Sequence, residues 1–515
     1  MRHRAVAALP SGWSKRSDRT TTARMTLGMR PAFVLWVLVS VFASVFASVF
    51  AWGCSAGEQT ESPPRTFPTE ARDRMAWPDP LEHAPRGEAQ RERLCERPGD
   101  DMLRDLFCGD APQKITGLTE LQAALHVGTE DIGGLRGLSL TAHSTAVAAR
   151  SVSAINPRVL SFQLDQPLAG AELVVVAFVR GEQTVEMVVR DRQSAELQFY
   201  LLKYRQACNE EPEGCLPGDL LTPVTEEGWV EVSLYDEEDL KNTIVDCRQC
   251  HQPDGVGTTK LLRMQELKMP WTHWLYNSTG GGRILLSDYR AAHGDETYGG
   301  MTSERIEWCN PGSLELLVSY ANGVPTQPNE FMGKEIEAEV SVSRQQAGDT
   351  QRPEDWLLRQ SDTWRSAYEL AREGQAIPVP YPEIRVTDPD KLAEMTAAYA
   401  DYRAGSLSRN ELPDIRDVFP DDPFARAAMG FGAEPGLDPQ EILVQACGQC
   451  HNDRLDQKLS RARFNVDLDQ LSRAQKDAAI ERLYLPATDL HAMPPVLVRS
   501  LSADDRASLV ELLRR

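Results

Sequence analysis

The sequence predicts a multidomain α+β protein with an N-terminal β-rich domain, a helical linker region and two smaller, mainly α domains. Three observations predict it. At 515 residues the chain is too long for a single hydrophobic core. From about 137 to 235 apolar residues recur with the period of two that marks strands. Two Cys-x-x-Cys-His motifs each lie beside helix-capping signals. The expected divisions are 1–53 as an export signal, 54–92 as a tether, 93–235 as the β-rich domain, 236–325 and 437–515 as the two α domains, and 326–436 as the linker region.

The export signal is read from an Arg-rich, acid-poor start followed by residues 32–51, about twenty without a charge. Met25 and Met29 are alternative starts that keep Arg30 ahead of the apolar run. The segment Ala51-Trp52-Gly53-Cys54-Ser55 resembles the lipobox of bacterial lipoproteins, with Ala51 and Trp52 where that motif has Leu and a small residue. The resemblance implies that Cys54 becomes a lipidated first residue. The competing expectation is an uncleaved N-terminal helix, since twenty apolar residues suffice to span a bilayer. Both readings place the rest of the chain on the periplasmic side of a bacterial membrane, the first as an outer-membrane lipoprotein. The formal charge of -21 argues against nucleic acid as a partner, because a polyanion would be repelled.

Residues 54–92 mix Pro, Arg, Glu and Thr without an apolar period and read as a flexible tether. In an oxidising compartment Cys95 and Cys108, and Cys208 and Cys215, are expected to pair locally, leaving Cys309 over. Val-rich runs broken at Arg180-Gly181-Glu182 and at 190–194 suggest a meander of hairpins. Residues 239–245 turn helical before the first motif, and Asn310-Pro311 opens a helix that stops at Asn322-Gly323. In the linker region 355–372 reads as a helix with Trp356, Trp364 and Tyr368 near one face. Asp438-Pro439-Gln440-Glu441 and Ser502-Ala503-Asp504-Asp505 cap helices in the last division.

The chemistry lies in Cys247-Arg248-Gln249-Cys250-His251 and Cys447-Gly448-Gln449-Cys450-His451. Two thiols a turn apart can each add to a porphyrin vinyl group, and the next residue offers an imidazole to iron. With ten Cys and nine His in the chain, one accidental motif is expected only about three times in a thousand, so coincidence is set aside for two. A zinc site needs further Cys or His at ligand spacing, and neither motif has a second Cys-x-x-Cys beside it. A thioredoxin-like dithiol is the other bland alternative.

Both segments resemble cytochrome c domains, over about 235–325 and 437–515. The resemblance implies two covalently bound haems c, with His251 and His451 as proximal iron ligands and a later Met as the distal one. Met493, in Leu490-His491-Ala492-Met493-Pro494-Pro495, matches that family's Met-Pro before a final helix; His491 is its rival. Met493 lies nine residues before the cap Ser502 and Met301 nine before the cap Asn310, which makes Met301 the leading distal ligand of the first haem. His293, Met269 and His273 follow it. The implied function is electron transfer between redox partners outside the cytoplasm, docked through a basic surface of the partner, and not catalysis. A di-haem cytochrome c peroxidase with His293 as a labile ligand is the enzyme alternative, and a haem subunit of a larger respiratory or surface complex is the third.

Overall fold

The computed structural model describes residues 81, 83–127, 137–142, 144, 146, 151–164, 172–212, 214–215, 217–252, 256–264, 275, 280–306, 314, 317–318, 320–322, 389–408, 411–414, 432–433, 436–448, 451, 464–486, 492–494 and 500–515. The export signal with Cys54, the tether up to residue 80, Met269, His273, Cys309, the 355–372 segment, Cys450 and His491 lie outside the described residues.

Six strands form one antiparallel meander in chain order: β1 (Gly137–Thr141), β2 (Arg158–Leu164), β3 (Leu173–Phe178), β4 (Thr184–Arg190), β5 (Leu197–Arg205) and β6 (Glu231–Tyr235). The register sorts side chains onto two faces, because directly paired residues point the same way. One face carries the row Val159, Phe178, Val185, Leu202 and Leu234. The other carries Phe162, Val175, Val188 and Phe199, with Leu160, Ala177, Glu186, Leu201 and Tyr235 in the next row.

Three N-terminal helices, α1 (Gly87–Cys95), α2 (Met102–Cys108) and α3 (Leu118–Ala124), cover the first face. Their Leu94, Leu103, Phe107, Leu118 and Leu121 share a core with Val174, Phe178, Val185, Tyr200 and Leu202. Asp101 caps α2 by accepting from the backbone N–H groups of Leu103 and Arg104. The disulfides are Cys95–Cys108, tying α1 to α2, and Cys208–Cys215 in the β5–β6 connection.

The second face is buried as well: Leu160, Phe162, Val175, Ala177, Val188 and Phe199 are all at most 9 % exposed. Burial on both sides explains why apolar residues alternate only loosely along β3 and β4; each parity meets a core.

The expected pair of mainly α cytochrome c domains is corrected by this arrangement. The described residues form a six-stranded antiparallel sheet with a few helices, and the first Cys-x-x-Cys-His motif belongs to the sheet. The physical reason is where its apolar residues find partners. The segments before and in the motif, α4 (Glu237–Leu240) and α5 (Arg248–His251), are single turns. Their Leu240, Val245 and Cys247 pack with Leu201 and Tyr235 of the sheet. The longer helix α6 (Gly280–His293) also buries Leu286 and Tyr289 against Leu140 of β1 and Val159 of β2. Further on, α7 (Pro389–Arg403) docks beside the first motif, where Tyr399 donates to the Asn242 carbonyl at 3.2 Å and Asn242 Nδ2 donates to the Leu412 carbonyl at 3.2 Å. Three helices, α8 (Pro439–Cys447), α9 (Arg473–Leu483) and α10 (Ala503–Arg514), surround the cluster of Ile442, Leu443, Leu483, Leu509 and Leu513. No helix among the described residues is long and apolar enough to cross a membrane.

Candidate cofactor-attachment sites

The first motif is held by its two variable residues. Arg248 is buried, with Nε on Asp246 at 3.1 Å, Nη1 on Glu238 at 3.0 Å and Nη2 on the Glu237 carbonyl at 2.8 Å. Gln249 donates to the Thr243 carbonyl at 2.7 Å. With Arg248 and Gln249 fastened to the preceding loop, the turn fixes Cys247, Cys250 and His251 relative to one another, and the His251 N–H reaches the Cys247 carbonyl at 3.0 Å.

His251 meets the second face of the sheet through the Phe199 ring, centroid to centroid 4.4 Å. Its Nδ1 lies 2.8 Å from the Leu261 carbonyl. The Arg263 N–H also approaches Nδ1, from 3.4 Å, but a protonated Nδ1 cannot accept, and the shorter contact sets the tautomer. Nε2 therefore keeps its lone pair, and no described residue hydrogen-bonds to it. Burial pushes the imidazole down to about 4, so the ring is neutral near pH 7. The Leu261 carbonyl is itself fixed: Lys260 reaches Glu237 at 2.7 Å, and Asn322 brackets Leu262 with bonds of 2.7 and 3.0 Å. This is the arrangement that a metal-binding imidazole needs from its surroundings.

Cys247 and Cys250 are half-buried thiols outside the two disulfides. Burial, with Glu186, Asp246 and Glu237 nearby, pushes the Cys247 thiol well up. A thioredoxin-like dithiol needs the opposite shift to make its nucleophile. Among the described residues no three His, Cys, Asp or Glu side chains converge on a point, so they supply no zinc cage.

In the second motif Cys447 ends α8, which opens on a reciprocal box between Asp438 and Glu441. His451 is buried; its N–H reaches the Cys447 carbonyl at 2.9 Å and its carbonyl accepts from Val466 at 3.2 Å. At the first motif the His251 carbonyl accepts from Leu261 in the same way, at 2.7 Å. Phe464 meets the His451 ring edge-on at 5.2 Å. Met493 is tied to the end of α9 by its N–H to the Arg482 carbonyl, 3.1 Å, next to Leu483 of the same cluster that Phe464 packs on.

The other expected ligands stand apart from His251. Met301 is 1 % exposed in a cluster with Leu140, Val159, Leu286, Tyr289 and Tyr298. Val159 belongs to the first face and His251 to the second, so the structure does not bring Met301 and His251 together. The Met301 loop sits tightly on β2: a Cβ on Gly299, at φ +59, would come within 2.5 Å of Val159 Cγ2. Glu226 holds the same loop by accepting from Gly299 N–H at 2.9 Å. His293 has both ring nitrogens engaged, Nε2 with the Ile155 carbonyl at 2.6 Å and Nδ1 3.6 Å from Glu296. Sequence reasoning missed Phe199 and the Leu261 carbonyl. The first shares strand parity with Val175 and Val188, a signal present in the sequence; a backbone carbonyl leaves none.

Comparison with known proteins finds no matching family model, curated protein or solved structure.

Proposed function

We propose that this chain is a membrane-tethered, di-haem c-type cytochrome that passes electrons between redox proteins outside the cytoplasm. The observation that carries the reading is His251: its Nδ1–H is committed to the Leu261 carbonyl and its neutral Nε2 is left for iron, next to two thiols at the covalent-attachment spacing. Haem iron would supply one-electron chemistry at each motif. Cys247 and Cys250 would hold the first group, Cys447 and Cys450 the second, with His251 and His451 as proximal ligands. Phe199 excludes water from one side of His251 and fixes the ring's rotation. Met493 is the proposed distal ligand of the second haem. For the first, the opposite-face position of Met301 and the engaged nitrogens of His293 favour a ligand from Met269 or His273.

Six-coordinate haems have no open position for substrate, so electron transfer is favoured over the peroxidase reading, which needs His293 as a labile ligand. Lipidation at Cys54 would keep the carrier at the periplasmic membrane surface, where its excess of acidic residues suits a basic partner. An optical redox titration of the matured protein tests the reading. Two low-spin one-electron steps are expected; a high-spin haem appearing at half reduction, sensitive to His293→Ala, would favour the peroxidase.

A further inference from the structure

Among the described residues, the four buried arginines meet acids. Arg104 reaches Asp236 at 3.1 Å, Arg180 reaches Glu226 at 2.6 Å, Arg248 reaches Asp246 at 3.1 Å, and Arg158 pairs with Glu186. Half-buried Arg190, the last residue of β4, does not. Its Nη2 donates to the Ala321 carbonyl at 3.1 Å, while its Nε is shielded from solvent and has no hydrogen-bond partner. No carboxylate among the described residues pairs with it, and burial alone pulls its pKa below the usual arginine value. A shielded donor on an uncompensated cation is costly, and the cost is relieved when an anion arrives.

Its position says which anion. Strand parity puts Arg190 on the second face with Val188 and Glu186. Val188 is paired with Phe199, whose ring lies on His251. Arg190 is two residues further along that face, roughly 7 Å at the usual strand rise. Val188 and Phe199, on adjacent strands, lie between Arg190 and His251.

We propose that Arg190 is a binding residue of the first cofactor site: its guanidinium receives a propionate carboxylate of the haem attached at Cys247 and Cys250. The inference rests on reading that motif as a haem site. The bland alternative is that Arg190 only caps the carbonyl end of the helical stretch finishing at Ala321.

The test uses full-length, haem-loaded protein and its Arg190→Gln and Arg190→Lys variants. Haem content is measured first, then both midpoint potentials from about pH 4 to pH 9, a span that takes in the reference Glu value of about 4.3 and the His value of about 6.5. A cation near iron favours the ferrous form, so Arg190→Gln should lower one midpoint and leave the other in place. A tenfold shift in that one-electron equilibrium corresponds to about 59 mV. The shifted midpoint should also gain a pH dependence, because a propionate without its guanidinium takes up a proton on reduction. Arg190→Lys keeps the charge without the fork and should give a smaller shift in the same sense; it carries the test where Arg190→Gln fails to fold. Two unmoved midpoints with unchanged pH slopes, and only a loss of stability, would overturn the proposal in favour of the capping role. Wild-type protein that acquires no haem at Cys247 and Cys250 would overturn the site and this inference together, a result read from haem content before any variant is compared.

Discussion

Phe199 offers the sharpest separation of a structural role from a role at the cofactor site. It is 1 % exposed on the second face, against His251, while its near neighbour Leu202 is fully buried on the first face, against the N-terminal helices. Replacing Phe199 by Ala removes a buried ring at a cost of about 3–5 kcal/mol, and the lost ring pair with His251 adds about 0.5–1.5 kcal/mol. Leu202→Ala should cost a comparable amount, about 2–5 kcal/mol. Equilibrium urea unfolding followed by far-UV circular dichroism measures both losses. What distinguishes the two is the haem. Phe199→Ala, and the milder Phe199→Leu at under about 1.5 kcal/mol, should shift the potential and the Soret spectrum of one haem, whereas Leu202→Ala should leave both haems unchanged. Equal spectral effects from the two faces, or none from Phe199→Leu, would refute the placement of the first haem beside Phe199.

Three further outcomes follow from the geometry. The His251 pKa is depressed to about 4 in the folded, haem-free chain, below the unfolded value of about 6.5, so the unfolded state binds the extra proton; stability should be steady above that value and fall as the pH drops towards 4, a trend His251→Gln should flatten in urea titrations. Asn242→Gly keeps the backbone at φ 57 but deletes the side-chain bond to Leu412; it should cost about 0.5–1.5 kcal/mol and speed amide exchange in α7 (Pro389–Arg403) selectively. Replacing Cys95 and Cys108 by Ser opens a closure of 13 residues, which should cost about 3 kcal/mol by the loop-entropy model, readable as a lower urea midpoint.

The meander was legible in the sequence because Val-rich runs and their Gly- and Ser-containing breaks are local signals. What lay on either side of it was not. The loose alternation of Val185-Glu186-Met187-Val188 looks like a weak strand pattern, and its cause, burial on both faces, depends on chain far away in sequence. The two motifs were legible outright, since their spacing is a local signal. Their surroundings were not: Leu240, Val245 and Cys247 could have packed with neighbouring helices, and only the tertiary fold sends them onto Leu201 and Tyr235. Met301 shows what an inference by equivalence leaves out. Its nine-residue distance to a helix cap matches that of Met493, yet spacing along a chain does not record which face of a sheet a loop returns to.

Each Cys-x-x-Cys-His motif is proposed to hold one haem. The most direct measurement is haem stoichiometry by pyridine haemochrome and intact mass on protein matured in a host competent for c-type cytochromes, comparing wild type with Cys247→Ala/Cys250→Ala and Cys447→Ala/Cys450→Ala. Two covalent haems in the wild type and one in each double variant are expected. A colourless wild-type protein, or one in which either double variant keeps both haems, would contradict the account.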